Sequence, residues 1–503
     1  MQKKQLTLVI VSLLVVVLSV SLAYFTAQII GKGKDVSVTS ANLQIVFTDS
    51  DGALTETDIE PGWSATKTFT IKNDTKTEYK YNIVIKDLVN TFVTNGYLQY
   101  KITSTNNGYN MTEFKDIPKS SAPKDTILAY SVVIPNGVTQ SYTIEFKYAN
   151  DESVDQSDDM GRKLSGNLFI TEGTEKLTLL SQILKDNPTR NTRDTYDSVF
   201  TNNTTGTLFT ATEKNVHNIT DTTVYYYAGN TTNNWVKFAG YYWRIIRTNA
   251  DGSVRMLYSG TATDTTSGYL STGTTAFNTP SNSPKYVGYM YGEKDDTLVN
   301  ARTNTNNSTI KTAIDNWYAS NMTSYTKYLS TTAVYCNDRT EQTVGTYNTG
   351  STNFNYAPYA RATTSHLPTY DCTEASDAFS VDNTSAKLTY PIALMTADEI
   401  MRAGGKGNTS LTSPYAWYYL NSANGSITGS TVWWLLSPSC WLSGNAYVFF
   451  VNDSHFPGAL NGGGVGNADA VRPVVSLKSC TLYSTGNGTS ETPYEIDYDN
   501  SNC

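Results

Sequence analysis

Histidine is nearly missing from this sequence: His217, His366 and His455 are the only three among 503 residues. No two stand at a helical or hairpin spacing and no H-E-x-x-H occurs, so zinc-hydrolase and histidine-rich metal sites have little to build on. Cysteine is also scarce, five in all, at Cys336, Cys372, Cys440, Cys480 and Cys503. None falls in a C-x-x-C, which removes a zinc ribbon and a thioredoxin-type redox pair. Charged residues are 16% of the chain and sum to −8. That leaves no basic face to neutralise phosphates, so nucleic acid is not an expected partner. Low charge alongside 12% aromatics, led by 36 Tyr, is the reverse of a disordered composition, and most of the chain is expected to fold.

One long apolar run is present. After Lys3 and Lys4 it extends from Leu6 to Phe25 and onward through Ala27, Ile29 and Ile30. About 20 apolar residues cross a bilayer core as a helix, and basic residues ahead of the run favour a cytoplasmic N-terminus. Ser21-Leu22-Ala23 also offers a small-x-small cleavage site. Residues 1–34 are therefore expected to be a transmembrane anchor or a signal peptide. The product is anchored in the plasma membrane with its domains outside, or secreted. In that compartment Cys336 with Cys372, and Cys480 with Cys503, are expected as disulfides that leave Cys440 unpaired. Sequence alone does not settle the connectivity, and buried reduced thiols stay open.

Residues 35–173 show period-two alternation. Ala65, Phe69 and Ile71 oppose Thr66, Thr68 and Thr70; Tyr142, Ile144, Phe146 and Tyr148 alternate with Thr143, Glu145 and Lys147. Turn chemistry at Asp51-Gly52, Pro61-Gly62 and Asn136-Gly137 separates the runs, which predicts an all-β sandwich. The acidic loop Asp151, Asp155, Asp158, Asp159 does not match an EF-hand and is expected to be solvated. Residues 174–198 form a linker with one short helix, placing Leu177, Leu180, Ile183 and Leu184 on one face and ending at Asn187-Pro188.

Residues 199–482 predict an α+β domain. Gly240 to Arg247 is expected to pair with Val254 to Tyr258. A helix is expected over Thr309 to Asn321, capped by Ser308, and another follows the capping box Thr396-Ala397-Asp398-Glu399. Strands are expected at Val432 to Leu436, Ala446 to Asn452 and Val471 to Leu477. Residues 483–503 read as a turn-and-strand tail.

Two resemblances follow from particular motifs. Ala23-Tyr24-Phe25-Thr26-Ala27, then Val36-Ser37-Val38 and Ile59-Glu60-Pro61-Gly62-Trp63, resemble the camelysin/TasA-like surface and matrix proteins of Gram-positive bacteria. That likeness implies an exported sandwich, and fibre assembly in some members. The protease role described for camelysin-type members does not carry over, because 35–173 contains no histidine. Trp433-Trp434-Leu435-Leu436-Ser437-Pro438 followed by Val471-Arg472-Pro473-Val474 is similar to an uncharacterised domain of Gram-positive surface proteins. Its strand ending also resembles the C-type-lectin variant shared by formylglycine-generating enzymes and by variable ligand-binding proteins of diversity-generating retroelements.

The segment between those motifs carries the candidate binding site. Trp441 and Tyr447 are expected as aromatic surface anchors. Ser443, Asn445, Asn452, Asp453, His455, Asn461, Asn467 and Asp469 are expected in adaptable turns, a paratope-like mixture. Gly462-Gly463-Gly464 and Pro457-Gly458 are expected to free the loops. Arg472 is expected to bond framework carbonyls or a carboxylate. No G-x-S-x-G occurs, Cys440 has no paired cysteine nearby, and no catalytic residue, metal or cofactor is assigned. The expected function is a surface display protein that binds an extracellular protein or glycan. A matrix-fibre subunit is the alternative, and an extracellular enzyme a distant third.

Overall fold

The computed structural model describes residues 26–30, 36–40, 43–49, 53–56, 59–94, 96–263, 271–342, 346–419 and 431–498. The chain divides between Lys176 and Leu177 into two compact, β-rich units.

In the first unit, alternation produces two sheets over one core. A five-stranded sheet runs in the order Ala53–Glu56, Thr26–Ile30, Lys163–Glu172, Tyr79–Asn90, Ser120–Ile134. A six-stranded sheet runs Val36–Ser40, Leu43–Asp49, Ser64–Asn73, Thr139–Tyr148, Leu98–Ser104, Lys115–Asp116. Phe69 lies opposite Tyr142 in register, their rings stacked 4.9 Å apart. With Ile71, Ile144 and Phe146 they meet Tyr81, Ile83, Ile85, Leu168 and Ile170 of the other sheet in one buried cluster. The expected membrane span, Leu6 to Phe25, lies outside the described residues, and among these no helix is long and apolar enough to cross a membrane. Ala27, Ile29 and Ile30 do not extend a helix. They belong to the strand Thr26–Ile30, parallel to Lys163–Glu172, so the sheet begins before the expected boundary at residue 35. Isoleucine and threonine fit a pleated surface as readily as an apolar helix, which is why the boundary was misplaced.

The acidic loop is solvated only in part: Asp155 and Asp158 are exposed as expected, but Asp159 is fully buried because donors from outside the loop satisfy its carboxylate. Asp159 accepts from the amides of Val93 and Thr94 and from Tyr148 Oη at 2.5, 3.1 and 3.0 Å, and Asp151 accepts from Ser153. Among the described residues no group of His, Cys, Asp and Glu is arranged to hold a metal.

The second unit absorbs both of its expected flanking segments. The connector helix, Leu179–Asp186, is capped by Thr178 and buries Leu179 and Ile183 in the main core. Leu177 precedes the helix and is exposed. At the other end, Tyr483–Thr485 pairs with Tyr494–Ile496, which adds in parallel to Trp235–Phe238. Two strands of the 483–503 segment, at its described residues, are therefore part of a ten-stranded sheet. A second sheet of six strands is built around Trp433–Leu442. The expected hairpin forms between Tyr241–Thr248 and Val254–Tyr258. The helix Thr309–Asn321 starts where Ser308 accepts the Lys311 amide. The helix Ala397–Ala403 carries the full Thr396/Glu399 capping box and stops at Gly404, whose φ of 125° suits glycine alone.

Its interior is held by paired charges. Arg247 contacts Glu213 at 2.7 Å and Glu399 at 2.9 Å, and Arg255 contacts the same Glu399 oxygen at 2.7 Å. Arg339 pairs with Asp377, and Arg361 binds Asp398 through two nitrogens. The expected disulfide Cys336–Cys372 is present and spans 36 residues. Cys480 is disulfide-bonded, Cys503 lies outside the described residues, and Cys440 is free. Replacing Cys336 and Cys372 with alanine is expected to lower the stability of this unit by about 3 kcal/mol, through the entropy the open loop returns to the unfolded chain. Urea unfolding of the double variant against the wild type measures it; an unchanged midpoint would show that the crosslink constrains nothing.

Candidate functional site

The strand Trp433–Leu442 is the frame of the 433–472 segment. It pairs with Asn445–Val451 on one side and meets Phe354–Asn355 at its far end. Its tryptophans are all interior. Trp434 donates Nε1–H to Thr275 O at 2.9 Å, and Trp433 lies under the Arg472 guanidinium, 4.7 Å from ring centre to Cζ. Trp441 is 1% exposed and donates to Gly350 O at 2.7 Å. This corrects the expected role of Trp441: it faces Ala446 and Phe354 in register and is a core residue, not a surface anchor. Tyr447, the second expected anchor, is half-buried opposite Cys440 and Gly464.

Arg472 bonds framework carbonyls, as expected: Nε to Tyr258 O at 3.2 Å and Nη1 to Tyr418 O at 3.0 Å. Burial first, and repulsion from Arg244 second, bring its pKa down to about 9. The Cys440 thiol is pushed up by burial, against a smaller pull from Ser439. It stays protonated at neutral pH and is a poor nucleophile.

The turns separate the remaining residues into groups. Ser443 and Gly444, at φ 52° and 77°, form the two-residue hairpin turn that joins Leu442 to Asn445. Ser443 donates its amide to Asn353 Oδ1, and Asn445 accepts from Ser281 Oγ at 3.1 Å. At the other end of Asn445–Val451, about 20 Å away for a strand of this length, lies a second group. Asn452 donates to Asn461 at 3.3 Å, Asn461 donates to Asn408 at 3.1 Å, and Asp453 accepts from His455. Asn467 sits in the turn after Gly464, its amide bonded to Gly464 O. Asp469 pairs with Thr275 in a short strand, and burial pushes its pKa up. The ten expected residues therefore do not form one patch. Asn452, Asp453, His455 and Asn461 come together, while Ser443 and Asn445 face a different neighbourhood.

The glycines at 462, 463 and 464 are not loop residues. They lie in the strand Leu460–Gly464, and a Cβ at Gly463 would stand 2.7 Å from the Phe450 ring. Packing against an aromatic requires glycine here, not freedom of the chain. Gly458, at φ 67°, does turn the loop as expected.

A further residue belongs to the second group. Phe456 is 59% exposed, next to His455 on the loop between Val451 and Leu460. Its sequence signal was visible: a lone aromatic outside any alternation, set between His455 and Pro457-Gly458. His455 is itself 82% exposed and 3.1 Å from Asp453. His217 lies 2.8 Å from Ser380 Oγ, but Ser380 is fully buried, so this contact has no access to a substrate.

No family model matches this chain, and no curated protein matches it. A solved structure described as AvmM, which catalyses macrocyclization in alchivemycin A biosynthesis, aligns over 29% of this chain and 100% of its own. The identity is 11% and the TM-score 0.16. At that score neither fold nor function carries over.

Proposed function

We propose that this chain is a surface display protein, tethered through its N-terminal apolar segment. Its C-terminal unit, a C-type-lectin-like domain in this reading, engages an extracellular protein or glycan. The observation that carries this is the contrast within 433–472. A frame of buried tryptophans and carbonyl-bonded Arg472 holds a loop on which the largely covered Asp453 carboxylate bonds His455, while the His455 and Phe456 side chains are open to solvent. Rigid support under exposed aromatic and polar side chains is what a binding loop needs, since little entropy remains to be lost on contact.

Fibre assembly by strand addition to the five-stranded sheet of the first unit is disfavoured by that sheet's edges. The long edge strand Ser120–Ile134 carries exposed Pro123 and Lys124, and its pairing with Tyr79–Asn90 breaks register at four places. The opposite edge, Ala53–Glu56, has 4 residues. Proline, lysine, bulges and brevity all resist pairing with another chain.

The test is a protein and glycan array probed with the full chain. Phe456→Ala combined with His455→Ala is expected to weaken retained signals at least tenfold, as loss of a central aromatic contact does, with an unchanged thermal transition. Equal signals for wild type and double variant on every spot would reject the loop as the binding surface.

A further inference from the structure

A second, unrelated feature of the C-terminal unit points to a ligand of defined chemistry. A cleft of about 510 Å³ opens between the hairpin turn after Phe238, the 3₁₀ turn Thr323–Tyr328 and the strand Tyr494–Ile496. That volume lies within the range of small-molecule sites. Its open aromatic walls are the rings of Tyr325 and Tyr498, with Tyr328 buried behind them at 4% exposure. Tyr498 stands 5.2 Å from Tyr328 and 5.9 Å from Tyr325, with Phe238 behind Tyr325 at 5.6 Å. Two of the rings are fixed at their hydroxyl ends. Tyr328 Oη donates to Tyr498 O at 2.8 Å, and Tyr498 Oη accepts the Ala239 amide at 2.9 Å. Tyr498 nevertheless keeps 38% of its surface open. The platform is therefore ordered before anything binds, which removes part of the usual cost of association.

The rim is polar. Lys237 and Glu495 form an exposed pair at 3.5 Å, and Lys327 lies 4.8 Å from the Tyr328 ring centre. A wholly apolar ligand would strip water from these charges and return no hydrogen bond. A wholly polar ligand would leave the tyrosine faces uncovered. A pyranose satisfies both demands. Its C–H faces cover aromatic rings, while each hydroxyl donates to a carboxylate and accepts from an ammonium.

We infer that the cleft between Tyr325 and Tyr498 is a saccharide-binding site, taking a pyranose stacked on these two rings, which the buried Tyr328 supports, and held at the rim by Lys237, Lys327 and Glu495. This site does not depend on the loop around Phe456, and the two can fail separately.

The experiment is saturation-transfer NMR on the full chain with cellobiose, chitobiose and digalacturonate as probes. Transfer to at least one saccharide is expected, with protons of the ring faces most strongly saturated. Tyr498→Ala should raise the dissociation constant at least tenfold. Ser324→Trp, at an exposed position on the rim, should do the same by filling the cleft while leaving the ring cluster intact, which separates loss of the site from loss of the fold. Phe456→Ala should leave transfer unchanged. Preference for digalacturonate would assign the rim lysines to a carboxylate, and preference for a neutral disaccharide would assign them to hydroxyls. No transfer to any of the three probes, or transfer that persists in both Tyr498→Ala and Ser324→Trp, overturns the inference.

Discussion

Trp441→Ala is expected to destabilise the C-terminal unit by about 3–5 kcal/mol, the cost of emptying a large buried aromatic site. The indole fills the space between Phe354 and Ala446 at 1% exposure, and its N–H satisfies Gly350 O at 2.7 Å. Removing it opens a cavity and leaves a carbonyl without its donor. Trp441→Phe should recover most of the packing and lose about 1 kcal/mol for the hydrogen bond. The chain has two units, so the measurement must follow the transition of this one, for example by hydrogen exchange of Asn445–Val451 amides during urea unfolding. A Trp441→Ala protein with wild-type stability and impaired array binding would mean that the side chain meets ligand after all.

Glu399→Gln is expected to cost about 3–5 kcal/mol, because breaking a buried ion network strands charge in the interior. Glu399 Oε1 serves both Arg247 and Arg255, at 2.9 and 2.7 Å, and all three side chains are at most 3% exposed. Its other oxygen accepts the Thr396 amide at 3.0 Å in the capping box. Arg247 would retain the anionic Glu213, whereas Arg255, with neutral acceptors and the Tyr335 ring beside it, would lose the carboxylate it is paired with. Burial alone would raise the Glu399 pKa. Arg255 and Arg247 together outweigh it and hold the carboxyl below its ordinary value of 4.5. A group depressed in the folded state contributes stability that is present above its unfolded pKa. That contribution is lost as pH falls from about 4.5 through the folded value, since the unfolded chain binds the proton first. Stability measured from neutral pH downward should therefore fall more steeply below pH 4.5 in wild type than in Glu399→Gln. Parallel profiles would show that Glu399 does not carry the acid sensitivity.

Much of the local structure was legible because it depends on neighbours in sequence. The helix over Thr309–Asn321 and its Ser308 cap, the Thr396/Glu399 capping box and the Tyr241–Thr248 hairpin each need residues only a few positions apart. The alternation of Phe69 and Ile71, or of Tyr142, Ile144 and Phe146, likewise states which face is buried without naming what covers it. The disulfide between Cys336 and Cys372 is present as expected for an exported chain, although the sequence left the connectivity open.

What remained hidden depends on partners far along the chain. Trp441 and Phe456 are both aromatic residues among Ser, Asn and Gly, and composition treats them alike. Trp441 is buried because Phe354, Gly350 and Ala446 close around it, two of them about 90 residues earlier. Phe456 is 59% exposed on the loop between Val451 and Leu460, which turns at Gly458. The glycines at 462 and 463 carry no local sign of their role, which is to leave room for Ser439 and the Phe450 ring where their Cβ atoms would stand. Helices Leu179–Asp186 and strand Tyr494–Ile496 looked peripheral, yet one fills the core and the other pairs with Trp235–Phe238. Sequence periodicity determined which elements form and which face each buries. Tertiary contact alone decided which aromatics serve packing and which stay at the surface, because burial is a property of what arrives from elsewhere in the chain and not of the residue itself.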